Sequence, residues 1–163
     1  KPLGEMELSE WQRTMRISVD SVVTLYGNAW PLLEQSRQGG RVVVIASKNV
    51  IAPGAGAAAY SASKAALTQL SRVAALEWAP KGIRVNLMHP DAVFDTGLWT
   101  PELLAARAEH YGLTVDAYKR RNLLKTEVTS AACGALALAM VTEPFRATTG
   151  AQVAIDGGSD RTL

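Results

Sequence analysis

Ser47, Tyr60 and Lys64 are the residues of this 163-residue chain whose types and spacing could do chemistry together. Tyr60 and Lys64 stand four apart in a stretch, 60–79, that reads as helix, so they project from one face with Cβ atoms roughly 5–6 Å apart. A free phenol, with a pKa of about 10, is a poor proton donor or acceptor near neutrality. A neighbouring ammonium favours the phenolate and lowers that value. A phenol tuned in this way can give a proton to a carbonyl oxygen while hydride reaches the carbon, or take one from an alcohol in reverse. The neutral hydroxyl of Ser47 can hold the same oxygen by a hydrogen bond as charge develops on it. Four tyrosines and six lysines in a chain of this length give roughly 0.15 accidental Tyr-x-x-x-Lys pairs, so the pair draws its meaning from its surroundings.

Those surroundings place it. Ser47 follows Arg41-Val42-Val43-Val44-Ile45-Ala46, a run that reads as a fully buried strand. Residues 50–59, with Pro53, Gly54 and Gly56, read as a loop. A strand ending in Ser, a glycine-rich crossing and a helix opening with Tyr and Lys bring the three groups to the carboxyl edge of a sheet, where open α/β sheets bind ligands. Upstream, residues 8–33 read as one long helix capped by Ser9 and ended by Gln38-Gly39-Gly40. The 60–79 helix should bury Ala66, Leu67, Leu70, Val73, Ala74 and Trp78, with Glu77 turned to solvent or a partner. Beyond Gly82, residues 83–88 form a second buried strand. Residues 101–110 and 114–122 form short polar helices, and 127–141 a helix capped by Thr126. Residues 152–155 form the last strand. The alternation of strand and helix predicts a parallel sheet wound right-handedly.

The bulk properties exclude several classes. Hydrophobic content of 48% and charged content of 20% suit one soluble globular domain. A net charge of +2, with the basic residues scattered, argues against a nucleic-acid surface. No apolar run approaches the roughly 20 residues of a membrane span, and no signal peptide is visible. Cys133 has no partner for an internal disulfide and is expected as a small core residue of a cytoplasmic protein. His89 and His110 have no partner at metal-ligand spacing, so no metal is expected.

The Ser47, Tyr60 and Lys64 pattern does not stand alone. Glu10-Trp11 through Ser21, Gly40 to Ser47, Tyr60 to Lys64, Lys81-Gly82-Ile83-Arg84-Val85-Asn86, Pro90, and Thr149-Gly150 to Asp156-Gly157-Gly158 run in the order found in short-chain dehydrogenases/reductases. The chain resembles the carboxyl-terminal two-thirds of that family over nearly its whole length. The resemblance implies a Rossmann-like, doubly wound parallel α/β sheet of which residues 1–163 supply the fifth, sixth and seventh strands and flanking helices. The family's glycine-rich turn after its first strand and Asn-Ala-Gly turn after its fourth do not occur here. The chain is therefore expected to be a partial domain lacking the half that binds ADP, and inactive alone.

The resemblance implies NAD or NADP as cofactor, with Tyr60 as general acid/base, Lys64 bonding the nicotinamide ribose, and Ser47 orienting the substrate oxygen. Ser18 falls where many members carry an Asn that anchors a water in a proton relay to the lysine; Ser presents one short polar group instead of two. The family's Pro-Gly after the sixth strand is Pro90-Asp91 here, with the carboxamide expected to meet main chain near Val93. Asp91 could favour an oxidised, positively charged nicotinamide, or form a turn by bonding its own backbone. Lys48 could meet an anionic substrate or product, or be a surface lysine.

Residues 94–124 occupy the place of the family's substrate-covering loop and helices, where Trp99, Leu98, Tyr111 and Tyr118 could line a lid or form local core. The runs Ser47-Lys48-Asn49, Pro90-Asp91-Ala92-Val93 and Tyr118 to Leu124 are more narrowly similar to the dehydrogenase half of bifunctional enzymes whose amino-terminal half is a class II rhamnulose-phosphate aldolase. That implies lactaldehyde or another small hydroxy-aldehyde as substrate, and fusion to an aldolase domain in the parent chain. A homodimer or homotetramer built on the 8–33 and 60–79 helices is the expected assembly. The strand edge at 41–46, where a fourth strand would pair, should be covered by other residues. The competing expectation is a catalytically inactive dehydrogenase-like scaffold or nucleotide sensor.

Overall fold

The computed structural model describes residues 1–159. Three parallel strands, β1 (Arg41–Ile45), β2 (Arg84–Pro90) and β3 (Gln152–Ile155), stand in the order β1-β2-β3. Arg41 pairs with Arg84 and Ile45 with Met88; Leu87 pairs with Gln152 and Pro90 with Ile155. The central strand explains its own composition. Val85, Leu87 and Met88 have no exposed surface, as a parallel strand covered on both faces requires.

On one face, Val44, Val85 and Leu87 pack with Leu67, Ala74 and Ala75 of α3 (Ala58–Trp78) and with Tyr26 of α2 (Ser21–Glu34). The buried stripe of α3 differs from the expected one. Val73 is 40% exposed, and Ser61, Ser63, Thr68 and Ser71 are buried instead. Small residues let the helix backbone approach β2, and Ser71 satisfies its hydroxyl by donating to the Leu67 carbonyl at 2.8 Å. Because that proton is committed, the Tyr26 hydroxyl must donate to Ser71 Oγ, 2.8 Å away. Glu77 is exposed, as the spacing predicted.

The other face carries Arg41, Val43, Asn86 and Met88, and α6 (Ser130–Val141) lies over it. Arg41 Nη1 donates to the Val141 carbonyl at 3.0 Å, and Arg84 Nη1 to that of Phe145 at 2.7 Å. Since α3 and α6 cover opposite faces while the strands step in one direction, the two crossovers have opposite hands. Uniform right-handed winding is therefore not what the chain adopts. The second connection is long, holding α4 (Pro101–His110), α5 (Val115–Lys119) and α6, and is less bound by the helix-on-sheet geometry behind the rule.

Two helix boundaries also move. The expected helix over 8–33 is α1 (Leu8–Met15), a wider π-type turn over Arg16–Asp20, then α2; Glu7, not Ser9, stands at its start. The helix expected from 127 begins at Ser130, with Thr129 Oγ1 accepting the Ala132 N–H at 3.2 Å. Asn122 holds the preceding segment out of the helix. Its carboxamide donates to the Thr126 carbonyl at 2.7 Å and accepts the Thr126 N–H at 3.2 Å. Gly157 has φ +66° and faces that carboxamide so closely that a Cβ would collide with it, which accounts for glycine there. Cys133 is half-buried on α6 rather than in the core, and burial pushes its thiol pKa up. No helix among the described residues is long and apolar enough to cross a membrane.

Candidate functional site

Ser47, Tyr60 and Lys64 all stand at the carboxyl edge of the sheet. Ser47 comes two residues after the end of β1 and is buried; its Oγ accepts the Asn49 N–H at 3.2 Å, capping the short turn Lys48–Val50. Tyr60 is the third residue of α3 and remains 42% exposed. One turn on, Lys64 Nζ donates to the Ile45 carbonyl at 2.9 Å and sits 5.9 Å from the Tyr60 ring centroid. Burial pushes the Lys64 pKa down. The ammonium is held by a neutral main-chain oxygen of β1, and among the described residues no carboxylate pairs with it. Two of its three N–H groups remain for a ligand.

Ser18 lies within the π-type turn and lines a groove beside β1 together with Lys64, Tyr26 and Val42 to Ile45. The structure thus brings Ser18 to the same groove as the lysine. Single π-type turns inside helices mark functional sites often enough to be informative. Nothing in the composition of residues 16–20 announces one.

Lys48 and Asp91 meet each other. Lys48 Nζ is 3.2 Å from Asp91 Oδ2 and donates to Ser159 Oγ at 2.8 Å, and Ser159 donates to the same carboxylate oxygen at 2.8 Å. Their side chains are only 15% and 20% exposed. Lys48 is thus not a solvated surface lysine, and its charge is matched by Asp91. Asp91 bonds these side chains rather than its own backbone, while its N–H reaches the Ile155 carbonyl at 3.3 Å. The reason is tertiary: the segments after all three strands converge here. The next residue, Ala92, has φ +48°, a strained value for a residue with a Cβ, just before Val93.

His89 completes the edge. Fully buried, its Nδ1 donates to the Ser47 carbonyl at 2.9 Å and its Nε2 meets the Gln152 carboxamide at 3.1 Å, tying the ends of β1, β2 and β3. Noted in sequence only as lacking a partner at metal-ligand spacing, it is a structural link. Among the described residues no group of three or more His, Cys, Asp or Glu could hold a metal.

Trp99 packs on Phe94 with ring centroids 4.9 Å apart, in a small core with Leu104, Ala108 and Tyr118. It is half-buried within the lid segment rather than standing at the sheet edge. Asp95 fastens the lid to α6: its carboxylate accepts the Ser130 N–H at 2.8 Å and the Ser130 hydroxyl at 2.7 Å, which hold its pKa below the usual value.

A parallel Rossmann-like sheet with Ser, Tyr and Lys at its carboxyl edge defines the class, and comparison with known proteins defines the family. The family profile described as Enoyl-(Acyl carrier protein) reductase matches residues 1–160. The oxidoreductase YuxG of Bacillus subtilis (strain 168) is 30% identical over 162 residues, 96% of this chain and 24% of its own. The short chain dehydrogenase/reductase astE of Aspergillus oryzae is 29% identical over 160 residues, 96% of this chain and 58% of its own. The crystal structure of a 3-oxoacyl (acyl-carrier-protein) reductase from Agrobacterium tumefaciens C58 with NADP bound superposes with a TM-score of 0.82 at 25% identity. That match covers 97% of this chain and 59% of the reductase. The chain belongs to the short-chain dehydrogenase/reductase family. It spans between about a quarter and three-fifths of the length of these relatives.

Proposed function

We propose that the chain is the carboxyl-terminal part of an oxidoreductase that interconverts an alcohol and a carbonyl with NAD or NADP. The observation that carries the reading is the Lys64 ammonium, held by the Ile45 carbonyl one turn from Tyr60 at the edge where Ser47 is buried. The cofactor would supply or accept the hydride. Tyr60 Oη gives its proton to the carbonyl oxygen during reduction, and as phenolate takes the alcohol proton in the reverse direction. Lys64 lowers the cost of the phenolate and offers its two remaining N–H groups to the nicotinamide ribose. Ser47 Oγ bonds the substrate oxygen, and Asp91, bonded to Lys48, stands beside Pro90 and Val93 on the nicotinamide side. Ser18 holds a water in the groove beside Lys64.

Residues outside this sequence are then needed for the ADP half of the cofactor, and residues 94–124 cover the substrate. Similarity to YuxG supports a narrower version. The aligned segment is 24% of YuxG but 58% of astE, so YuxG is more than twice as long and has room for a further domain. That fits a dehydrogenase fused to an aldolase, acting on lactaldehyde or another small hydroxy-aldehyde.

The test uses the full-length protein. NADH or NADPH should bind in a fluorescence titration, and Tyr60→Phe should keep that binding while lowering turnover of small hydroxy-aldehydes by about 10²- to 10⁴-fold. Binding with no turnover by the wild type across hydroxy-aldehydes and polyols would leave a nucleotide-binding scaffold instead.

A further inference from the structure

Beyond the carboxyl edge, in residues 94–124, stands a cation with no ion-pair partner among the described residues. Arg121 follows α5, and its Cζ lies 4.9 Å from the Tyr111 ring centroid and 4.8 Å from that of Tyr118. The two rings are themselves stacked, 5.6 Å apart. Contact with both rings fixes the guanidinium plane and leaves its donors available. Neighbouring charges are matched: Lys119 with Glu127 at 3.0 Å, Arg120 with Asp116 at 3.3 Å, Lys48 with Asp91 at 3.2 Å. Arg121 makes no ion pair among the described residues.

A second observation points to the same place. Tyr118 is 3% exposed as a residue, and its hydroxyl makes no hydrogen bond among the described residues but is not one of their fully buried unpartnered atoms, so the oxygen is open to a ligand. Tyr118 and Arg121 line one narrow cleft with Asp91 and Ser159, and Asp91 is bonded to the lysine next to Ser47. Burial raises the Tyr118 pKa, and the positive charges of Arg121 and Arg107 oppose that rise. Of the charged groups that line the cleft among the described residues, Asp91 bonds Lys48 and Lys119 bonds Glu127, which leaves Arg121 and Asp156.

We propose that Arg121, with the Tyr118 hydroxyl, binds an anionic group of the substrate, a phosphate or a carboxylate. The inference rests on the reading of this edge as the substrate site and names the substrate class that reading leaves open. The recognising cation is then Arg121 rather than Lys48. The cleft is narrow, so the anion sits at its mouth, where Arg121 is exposed.

The full-length protein, with its cofactor site filled by NADH, is titrated calorimetrically with inorganic phosphate and separately with acetate at constant ionic strength. One of the two should bind saturably; phosphate indicates a phosphorylated sugar or polyol, acetate a hydroxy acid. Arg121→Gln should weaken that binding about ten- to a hundredfold, the worth of a hydrogen bond to a charged group. Tyr118→Phe, which keeps the ring under Arg121, should weaken it less than tenfold. Binding by neither anion, or unchanged binding by a folded Arg121→Gln protein, overturns the proposal. Turnover of a neutral hydroxy-aldehyde by that same variant would leave the oxidoreductase reading intact, so the two fail separately.

Discussion

The edge formed by β1 and α3 and the segment 94–124, the proposed lid, hold their polar groups in opposite ways. At the edge, Lys64 bonds the Ile45 carbonyl and Ser47 the Asn49 N–H, so main chain positions the side chains. The sheet and a 21-residue helix set those main-chain atoms, and little can shift them. The lid instead relies on side chains meeting side chains: Phe94 on Trp99 and Tyr118, Lys119 on Glu127, Asp95 on the Ser130 hydroxyl. Its aromatic core is satellite to the main one. Under the proposed function, the proton-transferring group sits on the rigid part and the substrate-covering segment on a part that can open separately.

Removing the lid's central ring should break this contrast hardest. Phe94→Ala is expected to cost about 3–5 kcal/mol, the usual range for a buried Phe. Amide hydrogen exchange should accelerate across residues 94–124 while β1 and α3 keep their protection. Equal acceleration in both would mean that they unfold as one unit.

A smaller effect belongs to the sheet side. Tyr26→Phe removes the donor to Ser71 Oγ but leaves Ser71 bonded to Leu67, and should lower unfolding free energy by about 1 kcal/mol. Denaturant unfolding measures it. A loss above about 2 kcal/mol would show that Tyr26 and Trp78, 5.0 Å apart, also repack.

The smallest effects separate by pH. Asp95 has its pKa lowered by Ser130, so its contribution is full above the unfolded value and is lost as pH falls through the folded one. Asp95→Asn should therefore flatten the acid limb of stability. Lys64 has its pKa lowered by burial, so in the window below the ordinary lysine value the unfolded chain binds more protons and stability rises with pH. Lys64→Met should remove that alkaline rise and leave the acid limb alone. Thermal midpoints across pH for the two variants check both signs.

The placement of Ser47, Tyr60 and Lys64 at one sheet edge was legible because it depends on short-range spacing along a strand, a loop and one helix turn. The Val-rich run of β1 and the buried positions of β2 were legible for the same reason. The helix start at Ser130 was not, because Asn122 and Asp95 set it from a distance. The π-type turn at Ser18 left no compositional mark, and the alternation of strand and helix carried no information about which face α6 would take. Lys48, read alone, offered two meanings; its partner was Asp91, in a segment forty-three residues away.

The amino-acid sequence by itself determined the parallel α/β class, the three strands, and the tyrosine and lysine on one helical face, because periodicity and spacing are local. Only the tertiary structure decided that Lys48 bonds Asp91, that Trp99 belongs to the small core around Phe94, and that Arg121 lies over Tyr118 with no ion-pair partner among the described residues. Each of those depends on which distant segments converge beyond the carboxyl ends of the strands, and that is set by the order and winding of the whole sheet.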